Sequence, residues 1–274
     1  MRILITNDDG IQSPGIQELS RHVETAGYEV IVVAPDHDAS GTGTSLGRIS
    51  SDEPVHVSRQ SIPGLRADAY AISGSPALCV VTGYLEAFGP APDLVISGIN
   101  AGLNTGRSTL HSGTVGAVLA AQNFGIQGLA VSLEGATEWQ WKTAAQIAVE
   151  VLPCIAAGPS RSAFNINVPG LPRQDVIGIR WARLAKLGSV RSAISSIGTD
   201  QLDFHLVETG YLPEESTDLG AVRAGYASIT SLHGAVEVWN DSATAGEPFE
   251  ASCILPGAAT GDTLSPPRSV FENS

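Results

Sequence analysis

MRILITNDDGIQSPG, residues Met1 to Gly15, decides the architecture that the rest of the chain follows. Arg2 to Thr6 is a short apolar run with β-branched character, the pattern of a strand buried on both faces. It stops at Asn7-Asp8-Asp9-Gly10, and Pro14-Gly15 mark the start of a helix. A strand, a tight acidic turn and a helix make the first unit of an open α/β sheet. In such sheets ligands bind outside the carboxyl ends of the strands. Asp8 and Asp9 repel each other there unless a cation or a proton sits between them. Where a strand ends the backbone turns, which lets both side chains converge, and a hard divalent cation suits such oxygen ligands. The pair could equally cap the following helix, and this stretch alone leaves both readings open.

Working outward, Ile16 to Ala26 has amphipathic spacing and Gly27 suits its C-terminal stop. Glu29 to Ala34 is a second buried strand, followed by a small, polar run from Ala39 to Ser45. Gly41 to Gly47 has GxGxxxG spacing, follows the second strand and opens no helical run, which excludes a dinucleotide fingerprint; no Walker phosphate loop is present. Short strands are expected over 55–59 and 67–72, and an apolar helix over 76–88. A strand over 93–97 runs into the Gly-rich, polar stretch Gly98 to Gly106, and Ser112-Gly113-Thr114-Val115 opens an alanine-rich helix reaching about Phe124. A strand over 128–133 and a helix over 138–152 follow, with Trp139 and Trp141 read as packing residues. The alternation indicates a doubly wound, mostly parallel sheet in three layers. After Gly158 the pattern turns to strands over 164–168, 176–184, 201–207 and 226–232, with a short helix over 217–224. The expected organisation is therefore a catalytic α/β core over 1–158, a β-rich extension over 159–254 that completes it, and a disordered Pro/Gly/Ser/Thr-rich tail over 255–274.

Composition narrows the function classes. The 274 residues carry a formal net charge of -13, which argues against binding a nucleic-acid duplex and means that an anionic substrate needs local help. Cys79, Cys154 and Cys253 are too scattered for a disulfide framework or a structural zinc site. The chain opens directly on a core strand and holds no run of transmembrane length, so a cytoplasmic protein with no membrane partner is expected.

Three polar turns stand at the C-terminal ends of expected core strands, bearing Asp8-Asp9, Ser40 and Asn100. If those strands are neighbours, two carboxylates, a hydroxyl and an amide oxygen meet on one rim, an all-oxygen site suited to Mg²⁺, Mn²⁺ or Ca²⁺ over zinc. Beside it, Ser112-Gly113-Thr114 begins a helix whose free N–H groups and dipole attract an anion. A metal next to a helix N-terminus is what hydrolysis of a phosphomonoester requires.

These motifs resemble the survival protein SurE family of metal-dependent nucleotidases. The match rests on NDDG (Asn7–Gly10), APD (Ala34–Asp36), Ser40-Gly41, SGIN (Ser97–Asn100), AGLNTG (Ala101–Gly106), SGTV (Ser112–Val115), NINVP (Asn165–Pro169), Thr217-Asp218 and GYASIT (Gly225–Thr230), and covers about residues 1–233. The resemblance implies a Rossmann-like core, one divalent cation per subunit (Mg²⁺ or Mn²⁺, with Ca²⁺ a crystal substitute) on Asp8, Asp9, Ser40 and Asn100, and hydrolysis of 5′- and 3′-nucleoside monophosphates. It also implies a homodimer or homotetramer in which a C-terminal extension is exchanged.

Asp8 and Asp9 are then the catalytic pair, with Asp9 the better candidate to orient or deprotonate water, and Asn104, Ser112, Gly113 and Thr114 are expected to contact phosphate. His111, beside them, stays outside the catalytic set; Asp218 either closes the site or caps a helix; His37 and Asp38 read as a solvated loop. The chain departs from the family pattern at Leu78, Ala120 and Arg223, where carboxylates are usual. Those losses keep two other readings open, a catalytically weakened nucleotide-binding module and a phosphatase for a specialised non-nucleotide phosphomonoester. With no polar cluster for reading a base edge, base preference is expected to be modest.

Overall fold

The structure, a computed structural model, describes residues 1–188, 190–197, 201–208 and 210–236. The chain divides into two units, Met1–Gly234 and Ala235–Ser274, and every element below lies in the first. The tail expected over 255–274 and the part of the extension beyond residue 236 lie outside the described residues.

In order, the elements are β1 (Arg2–Thr6), α1 (Pro14–Thr25), β2 (Glu29–Pro35), β3 (Val57–Gln60), β4 (Ala69–Ile72), α2 (Pro76–Tyr84), β5 (Leu94–Ala101), α3 (Gly113–Asn123), β6 (Gln127–Leu133), α4 (Trp141–Ala156), β7 (Ala163–Val168), β8 (Ile179–Trp181), β9 (Val190–Ile197), β10 (Leu202–Glu208), α5 (Asp218–Arg223) and β11 (Ala227–Leu232). Nine strands form one sheet in the order β3-β4-β2-β1-β5-β6-β7-β11-β8. From β4 to β7 every neighbouring pair is parallel; β3 and β11 run antiparallel to β4 and β7. This is the expected doubly wound α/β architecture, and β7 and β11 extend the same sheet.

Strand alternation builds the layers. Ile3 and Ile5 of β1, Val30 and Val32 of β2, and Leu94 and Ile96 of β5 pack with Ile16, Leu19 and Val23 of α1 and with Ile147 and Leu152 of α4. The residues between them, Leu4, Ile31, Val33 and Val95, pack on the other face with Leu78 and Cys79 of α2 and Ala117 and Ala121 of α3. Period two along each strand therefore feeds two cores at once, which is why these runs are continuously apolar. Burying a side chain such as Leu4, 0% exposed, contributes about 1.5–3 kcal/mol.

The wiring matters more than the packing. From β1 the chain moves outward on one side to β2 and β4, then returns to place β5 on the other side of β1. The strand order thus reverses between β1 and β5, the switch point where open sheets leave a crevice at their carboxyl ends.

Some elements depart from expectation. β5 runs on to Ala101, with its register against β6 shifted between Ser97 and Asn100. A 3₁₀ turn over Gly106–His111 lies where the Gly-rich stretch gave no periodic signal. The strand expected over 176–184 is only β8, because β11 offers Ala227–Ile229 alone for pairing. β9 and β10 form a hairpin joined to no strand of the main sheet. β9 reads VRSAISSI, too small and polar to announce a strand; pairing with β10 makes it one.

Candidate metal and phosphate site

The crevice is built from three loops. Loop 7–13 leaves β1 and is shaped by Asn7, fully buried, whose amide donates to the Gly10 carbonyl at 2.9 Å and the Ser13 hydroxyl at 2.8 Å. Gly10 adopts φ +87°, a left-handed conformation that suits glycine. Loop 36–45 is drawn in by the Ala39 N–H, which donates to the Asp8 main-chain carbonyl at 2.7 Å, and by the Gly43 N–H, which donates to the His111 carbonyl at 3.2 Å. A side chain at Gly116 in the first turn of α3 would strike the Gly43 carbonyl, so the helix and this loop touch backbone to backbone. The third loop continues β5 through Asn100.

Asp8 is 3% exposed. Its Oδ1 accepts from the Thr114 hydroxyl at 2.5 Å and its Oδ2 from the Thr114 N–H at 3.0 Å, which sets the carboxylate against the positive end of α3. Burial nevertheless pushes the Asp8 carboxyl above the usual range, the Thr114 bonds offsetting part of the effect and the charge of Asp38 adding to it. Asp9 is half-buried and its Oδ2 accepts only a long bond, 3.4 Å, from the Ala101 N–H. Burial, then the charge of Asp8, push Asp9 up to about 6. The ion pairs of the described residues lie elsewhere and none includes Asp8 or Asp9. Two neighbouring carboxylates with no cationic partner are the electrostatic condition that a bound cation relieves.

The other two expected ligands are prepared in a matching way. The Asn100 amide donates to the Gly102 carbonyl at 2.8 Å, leaving its carbonyl oxygen as the available donor atom. The Ser40 hydroxyl gives its proton to Asp38 at 2.6 Å, leaving its oxygen lone pairs for an electrophile. Among the described residues no group of three or more His, Cys, Asp and Glu side chains gathers for a metal, so this mixed set of hard oxygens is what the crevice offers. Oxygen donors of this kind suit a hard divalent cation.

The expected phosphate contacts divide. Ser112 caps α3, its hydroxyl accepting from the Val115 N–H at 3.1 Å. Thr114 is fully buried with both donors committed to Asp8, so it holds a carboxylate and does not offer those donors outward. Asn104 is woven into the sheet: its N–H donates to Asn167 at 2.8 Å, its amide to the Ser132 hydroxyl at 2.8 Å, and its carbonyl accepts from Asn165 and Asn167. Gly113, buried at the first helical position, faces Asp8 and Thr42.

Two residues have more to do than their sequence context indicates. Asp38, read as solvated loop, is exposed, yet it accepts from both the N–H and the hydroxyl of Ser40, and its charge helps to raise the carboxyls of Asp8 and Asp9. The Asp-x-Ser spacing is the signal for such a turn. Asp218, 0% exposed, accepts from the N–H groups of Gly106, Ala185 and Leu219 at 2.8, 2.9 and 2.8 Å. Thr217 caps α5, its hydroxyl accepting from the Gly220 N–H at 3.2 Å, while Asp218, the first residue of that helix, pins the loop that follows Asn104. His111 is exposed. Of the family departures, Leu78 and Ala120 are buried on helices and the Arg223 guanidinium donates to the Tyr211 carbonyl at 2.7 Å; none makes a hydrogen bond to the crevice residues.

Comparison with known proteins gives the family. The family model described as "Survival protein SurE" matches residues 3–190. The 5′-nucleotidase SurE of Desulfitobacterium hafniense is 39% identical over 235 residues, 85% of this chain and 91% of that protein. Its namesake from Aeromonas hydrophila is 37% identical over 238 residues, 85% and 92% of the two chains. The crystal structure of the SurE protein from Aquifex aeolicus superposes with a TM-score of 0.71 at 33% identity, covering 85% of this chain and 93% of that one. With the family match spanning most of the doubly wound sheet and the fold shared with a solved relative, this chain belongs to the survival protein SurE family.

Proposed function

We propose that the chain is a divalent-metal-dependent phosphomonoesterase that releases phosphate from nucleoside monophosphates. The observation that carries this reading is the Asp8–Asp9 pair at the sheet's switch point, in no ion pair among the described residues, with Asp8 set against the N-terminus of α3. Relatives named 5′-nucleotidase SurE support the substrate class.

A divalent cation, when bound, neutralises phosphoryl charge and lowers the pKa of water. Asp8, Asp9, Asn100 and Ser40 would hold it. Thr114 fixes Asp8, Asp38 aligns Ser40, and the Gly102 carbonyl sets the Asn100 amide, so three of the four ligands are oriented before the substrate arrives. Asp9, less tightly held and partly open to solvent, orients the attacking water and accepts its proton. The Gly113 N–H, the dipole of α3 and the Asn104 amide hydrogen not used by Ser132 cradle the phosphoryl oxygens, Ser112 by keeping the helix start in place.

Phosphate release from adenosine 5′-monophosphate (AMP) should stop in excess chelator and return with Mg²⁺ or Mn²⁺, while a phosphodiester is spared. Full turnover in excess chelator would overturn the reading. We also infer a two-fold homodimer or a tetramer built from it, because the β9–β10 hairpin pairs only with itself and exposes Ile194 and Leu202. Light scattering that finds only a 28.3 kDa species at micromolar concentration would count against that assembly.

A further inference from the structure

Trp139 and Trp141 read from the sequence as packing residues. Their indoles stack face to face, centroids 4.7 Å apart and planes within 9°, and Trp139 is 41% exposed. Trp141, half-buried, packs on the core shared by α1 and α4. The pair stands on the rim of the crevice. A Cβ built at Gly15, at the start of α1, would lie 3.2 Å from the Trp141 ring and strike the carbonyl of Ile99, the residue before Asn100. At the other end, a Cβ at Gly135, just past β6, would lie 3.7 Å from the outer edge of Trp139. The stack thus bridges the carboxyl ends of β5 and β6, beside the strand end that carries one expected metal ligand.

The geometry points to a nucleobase platform: the open face of Trp139 stacks the base of a nucleotide whose phosphate occupies the Asp8–Asp9 crevice. The inference rests on the phosphomonoesterase reading and adds the subsite that recognises the rest of the substrate. An indole whose inner face is held by a second, core-anchored indole is a rigid apolar surface with little entropy left to lose on binding. Bases are uncharged, so the net charge of -13 does not repel them as it does phosphate. Every base has a π-face, so a stacking platform tolerates all four and favours the larger purines. Modest base preference then follows without any polar cluster to read a base edge.

The test is steady-state kinetics of Trp139→Ala and Trp139→Phe on AMP and on ribose 5-phosphate, which keeps the sugar and the phosphate but has no base. Stacking acts alike on ground state and transition state, so it changes KM more than kcat. For Trp139→Ala the preference for AMP over ribose 5-phosphate, as a ratio of kcat/KM, should fall at least about fivefold, the low end for losing one stacking partner. Trp139→Phe should recover most of that ratio. An unchanged ratio, or equal losses on both substrates, overturns the platform. If the wild-type protein with Mg²⁺ releases phosphate from neither compound, the phosphomonoesterase reading has failed, and calorimetric binding of adenosine to wild type and Trp139→Ala decides the platform alone. Adenosine affinity reduced in the variant sustains it; equal affinity, or no binding to either, overturns it.

Discussion

Replacing Asp9 by Asn should stabilise the metal-free protein while removing its activity. Asp9 has its carboxyl pushed from 3.8 up to about 6 by burial and by Asp8. A folded-state pKa above the unfolded value means that the folded protein holds the proton more tightly. The associated stability is complete below about pH 3.8 and is lost as pH rises through about 6. A shift of that size corresponds to about 3 kcal/mol at full burial, and the partial exposure of Asp9 reduces it to roughly 1–2 kcal/mol through solvent screening. Asn carries no charge to desolvate, so in chelator at pH 8 Asp9→Asn should melt about 2–8 °C above wild type. The difference should narrow below pH 6 and vanish near pH 3.8. Adding Mg²⁺ at pH 8 should reverse the order, because only the wild type gains full stabilisation from cation binding. Thermal melts in chelator and in Mg²⁺ across this pH range read all of these effects. If Asp9→Asn is no more stable than wild type in chelator at pH 8, or keeps its advantage unchanged down to pH 4, the account of an uncompensated pair is wrong.

Thr114→Val keeps the buried shape but removes a hydroxyl bonded to Asp8, a bond to a charged acceptor worth about 1.5–3 kcal/mol; the Mg²⁺ concentration for half-maximal activity should rise, and Thr114→Ser should restore it. Gly116→Ala drives a methyl into the Gly43 carbonyl and should displace loop 36–45, lowering metal affinity more than melting temperature; wild-type metal affinity in this variant would refute the close contact. Asp218→Asn turns an amide N–H₂ toward backbone donors that now face a carboxylate, so it should cost roughly 1–3 kcal/mol and speed proteolysis near Gly106, measurable by melting and limited digestion.

Much of the molecule is legible from its residues alone. The runs ILI, VIVVA and LVI (residues 3–5, 30–34 and 94–96) are apolar without interruption because each strand is covered on both faces, and that pattern suffices to give a parallel, three-layer sheet. The acidic, hydroxyl and amide turns after those strands are visible too, because turns at strand ends are short and local. Family motifs at Asn7–Gly10, Ser97–Asn100 and Ser112–Val115 add the chemistry they imply.

What the chain determines by itself, then, is local: which runs are strands, which turns are polar, and that Asp8 and Asp9 sit together. Which turns meet is decided by the tertiary fold, since strand order is a long-range property; the reversal between β1 and β5 is what brings Ala101, the residue after Asn100, to Asp9. Side-chain commitments are decided there as well. Thr114 reads as an anion donor until its hydroxyl and N–H are both found on Asp8, 106 residues away. Asp38 reads as solvent-facing until Ser40 folds back onto it, and of the two tryptophans read as packing residues Trp141 packs on the core while Trp139, stacked on it, is 41% exposed. For Thr114 the deciding partner is brought near only by folding, and no spacing along the chain encodes that proximity; the Asp38–Ser40 and Trp139–Trp141 contacts are local, and the fold decides how far each pair is exposed.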